Sequence, residues 1–113
     1  MKRKTDARPW GNFLQFTENE SSTVKIITVD SGEQLSLQYH EHRSEFWHIL
    51  SGNPTVIIGE NIINAKPGDE FTIPEGIKHR IGAEHEEVTF LEIAFGEFRE
   101  DDITRVEDKY GRI

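Results

Sequence analysis

The stretch QLSLQYHEHRSEFWHIL, residues 34–50, contains two runs in which the character of the side chains alternates from one residue to the next. In a β-strand, successive side chains point to opposite faces of the sheet. The first run places Leu35, Leu37 and Tyr39 on one face, and Ser36, Gln38 and His40 on the other. The second run places Glu45, Trp47 and Ile49 on one face, and Phe46, His48 and Leu50 on the other. Both runs therefore predict β-strands with two distinct faces.

The short segment between these runs, residues 41–44, decides whether their polar groups meet. A single unbroken strand would place Glu45 on the face opposite Gln38 and His40, because 38 and 40 are even and 45 is odd. A turn or bulge within residues 41–44 removes this conflict and lets Glu45 approach Gln38 and His40 from a neighbouring strand. We then expect His42 and Arg43 to lie in a loop at the rim of a polar site.

Strand signals continue on both sides of this stretch. Short apolar or alternating runs lie at Phe13–Phe16, Val24–Val29, Thr55–Ile58, Ile62–Ala65, Glu70–Ile73 and Val88–Phe95. Turn residues such as Pro67-Gly68-Asp69 separate most of them, and no window between Gly11 and Phe95 has a helical apolar period. The pattern predicts one all-β domain, a sandwich or barrel, over residues 1–113, with an N-terminal arm at 1–12 and a C-terminal tail at 96–113. The charged segment Glu100–Tyr110 in this tail is compatible with a short helix or an ordered strap.

The composition excludes several classes of function. The chain has 113 residues, and its 13 Lys and Arg against 21 Asp and Glu give a net charge of −8, which argues against nucleic-acid or membrane partners. The absence of cysteine excludes disulfides, thiolate zinc sites and iron–sulfur clusters, so any metal must be held by nitrogen and oxygen. No apolar run approaches a membrane span, and no apolar signal region follows Met1, so we expect a cytoplasmic location.

Two spaced motifs resemble those of the cupin superfamily. The first runs from Gly32 through Gln38, His40 and Glu45 to Gly52, with Gln38 where many cupins have their first histidine. The second contains Gly68, Pro74, Gly76 and His79, and has Ala83 where cupins usually have asparagine. The resemblance implies a jelly-roll barrel, the double-stranded β-helix, with a metal held by Gln38, His40, Glu45 and His79. The alternative is that these histidines are ordinary surface or packing residues.

Imidazoles, an amide oxygen and one carboxylate are donors that suit a borderline divalent cation. With one carboxylate, such a centre carries a charge of about +1, which favours an anionic or polarised oxygen ligand. The resemblance implies one divalent ion, zinc first, with manganese, cobalt, nickel or iron as alternatives.

Within the cupins, the chain resembles the type II phosphomannose isomerase domain found in mannose-1-phosphate guanylyltransferase/phosphomannose isomerase proteins. The resemblance is carried by residues 8–11, by Leu35 to Gln38, by His40 to Glu45 with Trp47, by Gly76 to Arg80, by Glu100 to Ile103 and by the tail from Arg105 to Arg112. Tyr39, Glu41 and Phe46 depart from the family pattern. The family's nucleotidyltransferase half has no counterpart here, so its GTP-dependent activity is not expected.

This resemblance implies interconversion of mannose 6-phosphate and fructose 6-phosphate through an enediolate, with a small-molecule sugar phosphate as partner. His42 is our candidate for the catalytic base, with Glu41 and Asp102 as rivals. Arg43 is our candidate for the phosphate, because arginine makes bidentate phosphate contacts. Further cations remain as alternatives: Lys78 and Arg80 if their segment is a loop, and Arg105 and Lys109 if the tail folds over the rim.

Two other functions remain open at this point. One is a non-catalytic metal- and sugar-binding cupin, and the other is an iron-dependent oxygenase of the same superfamily. We also expect a homodimer, because the strands that carry the ligands are apolar on both faces and need cover on both. A second sheet, the N-terminal arm or a dimer partner are the candidates for that cover.

Overall fold

The computed structural model describes residue 1 and residues 3–113, which form strands, turns and connecting loops. The strands are β1 (Lys4–Arg8), β2 (Gly11–Gln15), β3 (Ser22–Val29), β4 (Leu37–Tyr39), β5 (Arg43–Ser51), β6 (Thr55–Ile58), β7 (Asn61–Asn64), β8 (Glu70–Ile73), β9 (His79–Gly82), β10 (Val88–Gly96) and β11 (Thr104–Glu107). The prediction of an all-β fold is confirmed. No α-helical membrane span is found in the residues that the structure describes.

Two antiparallel sheets form the body of the domain. One has the order β3-β10-β5-β8, and the other has the order β11-β4-β9-β6-β7. The core lies between them, where Trp47 and Phe90 from the first sheet pack with Val56 and Ile81 from the second. The two sheets therefore face each other as the two halves of a jelly-roll barrel, with the apolar core inside.

Strand β5 shows the expected alternation. Glu45, Trp47 and Ile49 are buried and face the interior of the barrel, whereas Leu50 is exposed on the outer face. Phe46 and His48 lie on that outer face beneath Phe16, whose ring centroid is 5.8 Å from that of Phe46 and 5.4 Å from that of His48. The N-terminal segment thus covers the outer face of β5 at these two positions.

Three strands, β1, β9 and β11, have no counterpart in the predicted set. Strand β1 forms a hairpin with β2, with Arg8 opposite Gly11, so the N-terminal arm extends as a hairpin to Gln15. Strand β9 pairs with β4 and β6, and the charged tail forms strand β11, which pairs with β4, rather than a helix. These segments are polar or very short, and they become strands because a neighbouring strand supplies the hydrogen-bond partners.

Gly96, at the end of β10, is required by the close approach of the loop that precedes β5. Its φ is +103°, and a Cβ atom at this position would lie 2.7 Å from the carbonyl oxygen of His42. Only glycine accepts both this backbone conformation and this contact without strain. Gly96 therefore helps to set the position of the loop that carries His42.

Candidate metal centre

His40, Glu45 and His79 meet inside the barrel from three different elements. His40 directly follows β4, Glu45 lies in β5, and His79 begins β9. One candidate ligand atom from each residue lies within 4.8 Å of the others. The three residues are only 3, 2 and 1% exposed. The structure thus brings together three of the four residues predicted as ligands, from positions up to thirty-nine residues apart in the sequence.

The two histidines are held with the same ring nitrogen turned toward the site. His40 Nδ1 lies 2.6 Å from the carbonyl oxygen of Asp102, and His79 Nδ1 lies 2.8 Å from that of Ile77. A carbonyl oxygen only accepts a hydrogen bond, so each Nδ1 carries a proton, and Nε2 of the neutral ring presents a lone pair. Burial lowers the pKa of His40, which favours the neutral ring. In the neutral ring, both imidazoles therefore turn the nitrogen that can bind a metal toward the site.

The carboxylate of Glu45 faces these lone pairs. Its Oε1 lies 3.2 Å from His79 Nε2, and its Oε2 lies 3.6 Å from His40 Nε2. Glu45 Oε1 and His79 Nε2 are both buried, and neither has a hydrogen-bond partner. A carboxylate oxygen and the lone pair of a neutral imidazole are both acceptors, and a cation between them would satisfy both. The donor set therefore fits a divalent metal ion.

Gln38, the fourth predicted ligand, lies on β4 directly opposite His79 of β9. Residues directly opposite in an antiparallel pair have side chains on the same face, so Gln38 also faces the interior. Its Oε1 accepts a hydrogen bond of 2.9 Å from the hydroxyl of Ser36. The amide is therefore beside the histidine, with its oxygen engaged by a neighbouring serine.

Arg43 lies in a different place from the one predicted. We expected it in a loop at the rim, but it is the first residue of β5 and is buried on the same face as Glu45. The reason is the two-residue period of the strand, which already applies at Arg43. Its Nε donates to Glu45 Oε2 at 3.2 Å, its Nη1 donates to the carbonyl oxygen of Arg99 at 3.1 Å, and its guanidinium lies 4.5 Å from the ring centroid of Phe98.

The loop between β4 and β5 is closed by Asp102 from the tail. The backbone N–H groups of Glu41 and His42 donate to its two carboxylate oxygens, each at 2.9 Å. The first of these bonds is the main reason that the pKa of Asp102 is lowered. Asp102 thus holds the loop in shape and is a poor candidate for the catalytic base. The side chains of Glu41 and His42 are exposed on this loop, as expected for His42.

The other predicted cations, apart from Arg105, are engaged elsewhere or point away. Arg80 lies in a strand, next to the inward-facing His79, so its side chain takes the outer face, where it donates to Glu107 Oε1 at 2.9 Å and to the carbonyl oxygen of Leu35. Lys109 donates to Glu33 at 3.0 Å. Lys78 is exposed just before β9. Arg80 was a candidate for the phosphate only if its segment formed a loop, and it lies in strand β9 instead.

Glu92 was missed by the sequence analysis. It lies in β10 opposite Trp47, is buried, and accepts a hydrogen bond of 3.2 Å from Trp47 Nε1. Burial, together with the charge of Glu45, raises its pKa to about 7. The available signal was its position as the one acid inside an apolar run, Val88–Phe95, on the same face as Phe90 and Ala94.

The fold of this domain is shared with known proteins. The domain is similar to a double-stranded β-helix protein from Klebsiella pneumoniae, with a TM-score of 0.68, 19% identity, and coverage of 81% of this chain and 80% of that one. It is also similar to the oxalate decarboxylase of Bacillus subtilis, with a TM-score of 0.70, 24% identity, and coverage of 77% and 24%. At these identities the likeness shows the fold alone, and it confirms the predicted jelly roll.

Proteins found by sequence comparison have higher identity to this chain. The xanthan biosynthesis protein XanB of Xanthomonas campestris pv. campestris is 38% identical over 107 residues, which cover 93% of this chain and 23% of that protein. The mannose-1-phosphate guanylyltransferase ManC of Salmonella typhimurium is 35% identical over 108 residues, which cover 94% of this chain and 22% of that protein. The chain thus spans about a quarter of the length of these relatives. A model of the family described as "Mannose-6-phosphate isomerase C-terminal" matches residues 1–108, and the chain belongs to this cupin family.

Proposed function

We propose that this chain is a metal-dependent isomerase domain that interconverts mannose 6-phosphate and fructose 6-phosphate. The observation that carries the proposal is the buried pair of acceptors, Glu45 Oε1 and His79 Nε2, which face each other without a hydrogen-bond partner. A cation centre suits chemistry on the oxygens of a sugar, and the family description supplies the substrate. Removal of the weakly acidic C2 proton of the aldose gives an enediolate, whose charge must be stabilised.

We infer that Gln38, His40, Glu45 and His79 hold one divalent ion, with zinc as the first candidate and manganese, cobalt, nickel or iron(II) as alternatives. Two imidazoles, a carboxylate and an amide oxygen support this choice, because such donors suit a borderline cation. When bound, the ion would supply Lewis-acid stabilisation to the developing oxyanion. Gln38 would join the set by exchanging its contact with Ser36 for the ion.

The position of Arg43 favours a role other than the phosphate contact that the sequence predicts. Its guanidinium lies 3.2 Å from Glu45 Oε2 and 3.4 Å from His40 Nε2, so its charge is held at the proposed reaction centre. Because its guanidinium is buried and paired with Glu45, Arg43 is poorly placed to bind a phosphate at the rim of the site. We assign Arg43 to electrostatic stabilisation of the enediolate, which a preorganised cation provides without rearrangement.

His42 remains our candidate for the base that carries the proton between C2 and C1. The loop that bears it is fixed by Asp102, while its imidazole is exposed toward solvent. Histidine is the side chain most often used for such transfers, which contribute roughly 10²–10⁴-fold to the rate. The neighbouring exposed Glu41 is the alternative base.

The test is conversion of mannose 6-phosphate to fructose 6-phosphate by protein loaded separately with zinc, manganese, cobalt, nickel or iron(II). We expect turnover with at least one ion, and entry of solvent deuterium into the sugar. We expect His42→Ala to lower kcat by roughly 10²-fold or more with little change in KM. If no ion gives turnover while mannose 6-phosphate still raises Tm, the isomerase proposal fails.

That outcome would favour the second candidate, a metal- and sugar-binding module without turnover. The observation behind it is Phe46, which stands where the family commonly has a histidine and packs against Phe16 on the outer face of β5. A binding module raises Tm with its ligand through mass action alone and leaves the sugar unchanged.

We also propose that the domain forms a homodimer and acts in the cytoplasm. The outer face of the four-stranded sheet carries exposed apolar side chains, with Val24 at 56% and Ile26 at 69% exposure. The register places Ile26 directly opposite Leu91, so the exposed apolar side chains of β3 adjoin the half-buried Leu91 of β10. Exposed apolar side chains that cluster in this way are typical of an interface.

A further inference from the structure

Arg105 differs from every other arginine of the chain. The other six form ion pairs with carboxylates in the structure, namely Arg3, Arg8, Arg43, Arg80, Arg99 and Arg112. The side chain of Arg105 forms no hydrogen bond or ion pair with the described residues, and its Nε is buried without a partner. An unpaired and partly buried guanidinium is unexpected in a chain with a net charge of −8.

The strand register places this cation in the same row as the candidate metal ligands. Arg105 of β11 lies directly opposite Gln38 of β4, and Gln38 lies directly opposite His79 of β9. Side chains directly opposite in antiparallel strands share a face, so Arg105 shares the face of Gln38 and His79. Neighbouring strands lie about 4.8 Å apart, so the Cα atoms of Arg105 and His79 are about 10 Å apart across β4.

This separation fits a ligand with two distinct polar ends. One end would carry the oxygens that meet the metal centre, and the other would carry an anionic group several bonds away. A guanidinium presents a planar fork of N–H donors that matches the oxygens of a phosphate. The other two arginines near the site are already engaged, because Arg43 contacts Glu45 and Arg80 contacts Glu107.

We propose that Arg105 binds the phosphate of the substrate, an assignment that rests on the proposed function at this metal centre. The buried Nε and the terminal nitrogens of Arg105 donate to the phosphate oxygens, which satisfies the orphaned donor. Strand β11, at the edge of the five-stranded sheet, therefore supplies a substrate-binding residue to the barrel. The preference of the site for a phosphorylated sugar over the free sugar comes from this contact.

The experiment compares the affinities of mannose 6-phosphate and mannose for metal-loaded protein by calorimetry, with inorganic phosphate as a competitor. In Arg105→Gln we expect mannose 6-phosphate to bind roughly tenfold or more weakly, while mannose binds as in the parent. Phosphate should compete in the parent and not in the variant. Arg112→Gln is the matched control, because it removes the same charge from the same tail at a residue paired with Asp108; it should keep the preference.

Equal weakening of both sugars, unchanged binding of mannose 6-phosphate, or a parent protein without preference for the phosphorylated sugar would each overturn the proposal. If Arg105→Gln does not fold, Arg105→Lys keeps the charge but loses the fork, and it should still reduce the preference. Because binding is detected whether or not the protein turns over its ligand, a catalytically inactive parent that shows the Arg105-dependent preference would refute the isomerase and leave the phosphate contact standing.

Discussion

Glu45 and His79 form the most informative contact of the molecule at the scale of single residues. A buried donor or acceptor without a partner destabilises a fold by roughly 1–3 kcal/mol, and here two acceptors face each other. Such an arrangement is tolerated when a bound cation supplies the missing interaction in the working state. Metal binding and stability should therefore be linked at this site.

Removal of one imidazole should abolish this linkage. We expect the His79→Ala variant to retain little metal by elemental analysis, and His40→Ala to behave in the same way. In the parent, added metal should raise Tm, whereas in these variants it should have little effect. His85→Ala is the matched control, because His85 is exposed on the turn before β10 and should not affect metal content. Equal metal in the parent and in His79→Ala would contradict the ligand set.

Glu92 predicts a pH dependence of stability. Its pKa is raised from 4.5 to about 7 in the folded protein, so the folded state holds a proton that the unfolded chain has already released. The stabilisation from this bound proton is fully present below pH 4.5, the pKa of the unfolded chain, and is lost as the pH rises through about 7. The free energy of unfolding falls by at most about 3 kcal/mol over this range. In metal-free protein, Glu92→Gln should therefore become increasingly stable relative to the parent between pH 5 and pH 8.

Urea denaturation at several pH values measures this difference directly. Glu60→Gln is the control, because Glu60 is exposed on the turn between β6 and β7, and its difference from the parent should not change with pH. A difference between Glu92→Gln and the parent that stays constant across this range would show that the carboxyl of Glu92 titrates normally.

At the scale of elements, the loop between β4 and β5 is shaped by segments that are distant in the sequence. Asp102 accepts from the backbone of Glu41 and His42, and its carbonyl oxygen accepts from His40 Nδ1. The N–H of Gly76 donates to the carbonyl oxygen of His40 at 2.8 Å. The segment before β11 therefore orients a metal ligand and the candidate base at the same time.

Loss of the Asp102 carboxylate should weaken metal binding without removing a ligand. In Asp102→Ala we expect an affinity for zinc that is roughly 10–100-fold lower, because the loop that carries His40 loses two hydrogen bonds. Asp101→Ala is the matched control, since Asp101 is exposed and pairs with Arg99. Competition with a chromophoric chelator measures both affinities. An unchanged affinity in Asp102→Ala would show that the loop keeps its shape without this contact.

The whole molecule is a small barrel with two unlike outer faces. On the four-stranded sheet, Phe16 covers Phe46 and His48, but Ile26 and Leu50 stay exposed. The N-terminal hairpin is thus a partial cover for this face. A second copy of the chain is the partner we propose for the remainder, because a two-fold interface lets the same patch serve on both sides.

Light scattering should therefore give twice the 13.1 kDa mass of one chain. We expect Ile26→Glu to shift the protein toward the monomer, because a charge is then buried in the interface. Ile62→Glu is the matched control, since Ile62 is equally exposed on β7 of the other sheet and should leave the mass unchanged. A monomer mass for the parent protein at all accessible concentrations would exclude the dimer.

The local pattern of the sequence was sufficient to predict the all-β fold and the two faces of strand β5. The alternation in β5 assigned Glu45, Trp47 and Ile49 to the interior, and the odd and even positions of Glu45 and His40 required a break between their strands. These features depend on the two-residue period of a strand, which can be read from neighbouring residues. The resemblance of the spaced Gln38, His40, Glu45 and His79 to the cupin motifs likewise predicted a nitrogen and oxygen site.

The tertiary structure decided what depends on partners far away in the sequence. Strands β9 and β11 have too little apolar alternation to be recognised, and they form because β4 lies between them. That pairing brings Arg105 into the row of Gln38 and His79, and it turns Arg80 outward to Glu107. The pKa of Glu92 likewise depends on burial beside Glu45. The sequence by itself determined the two faces of β5 from Glu45 to Ile49, because they follow from local periodicity. Only the folded chain determined the burial of Arg43 and Glu92 and which interior residues meet, because pairing and burial are set by long-range contacts.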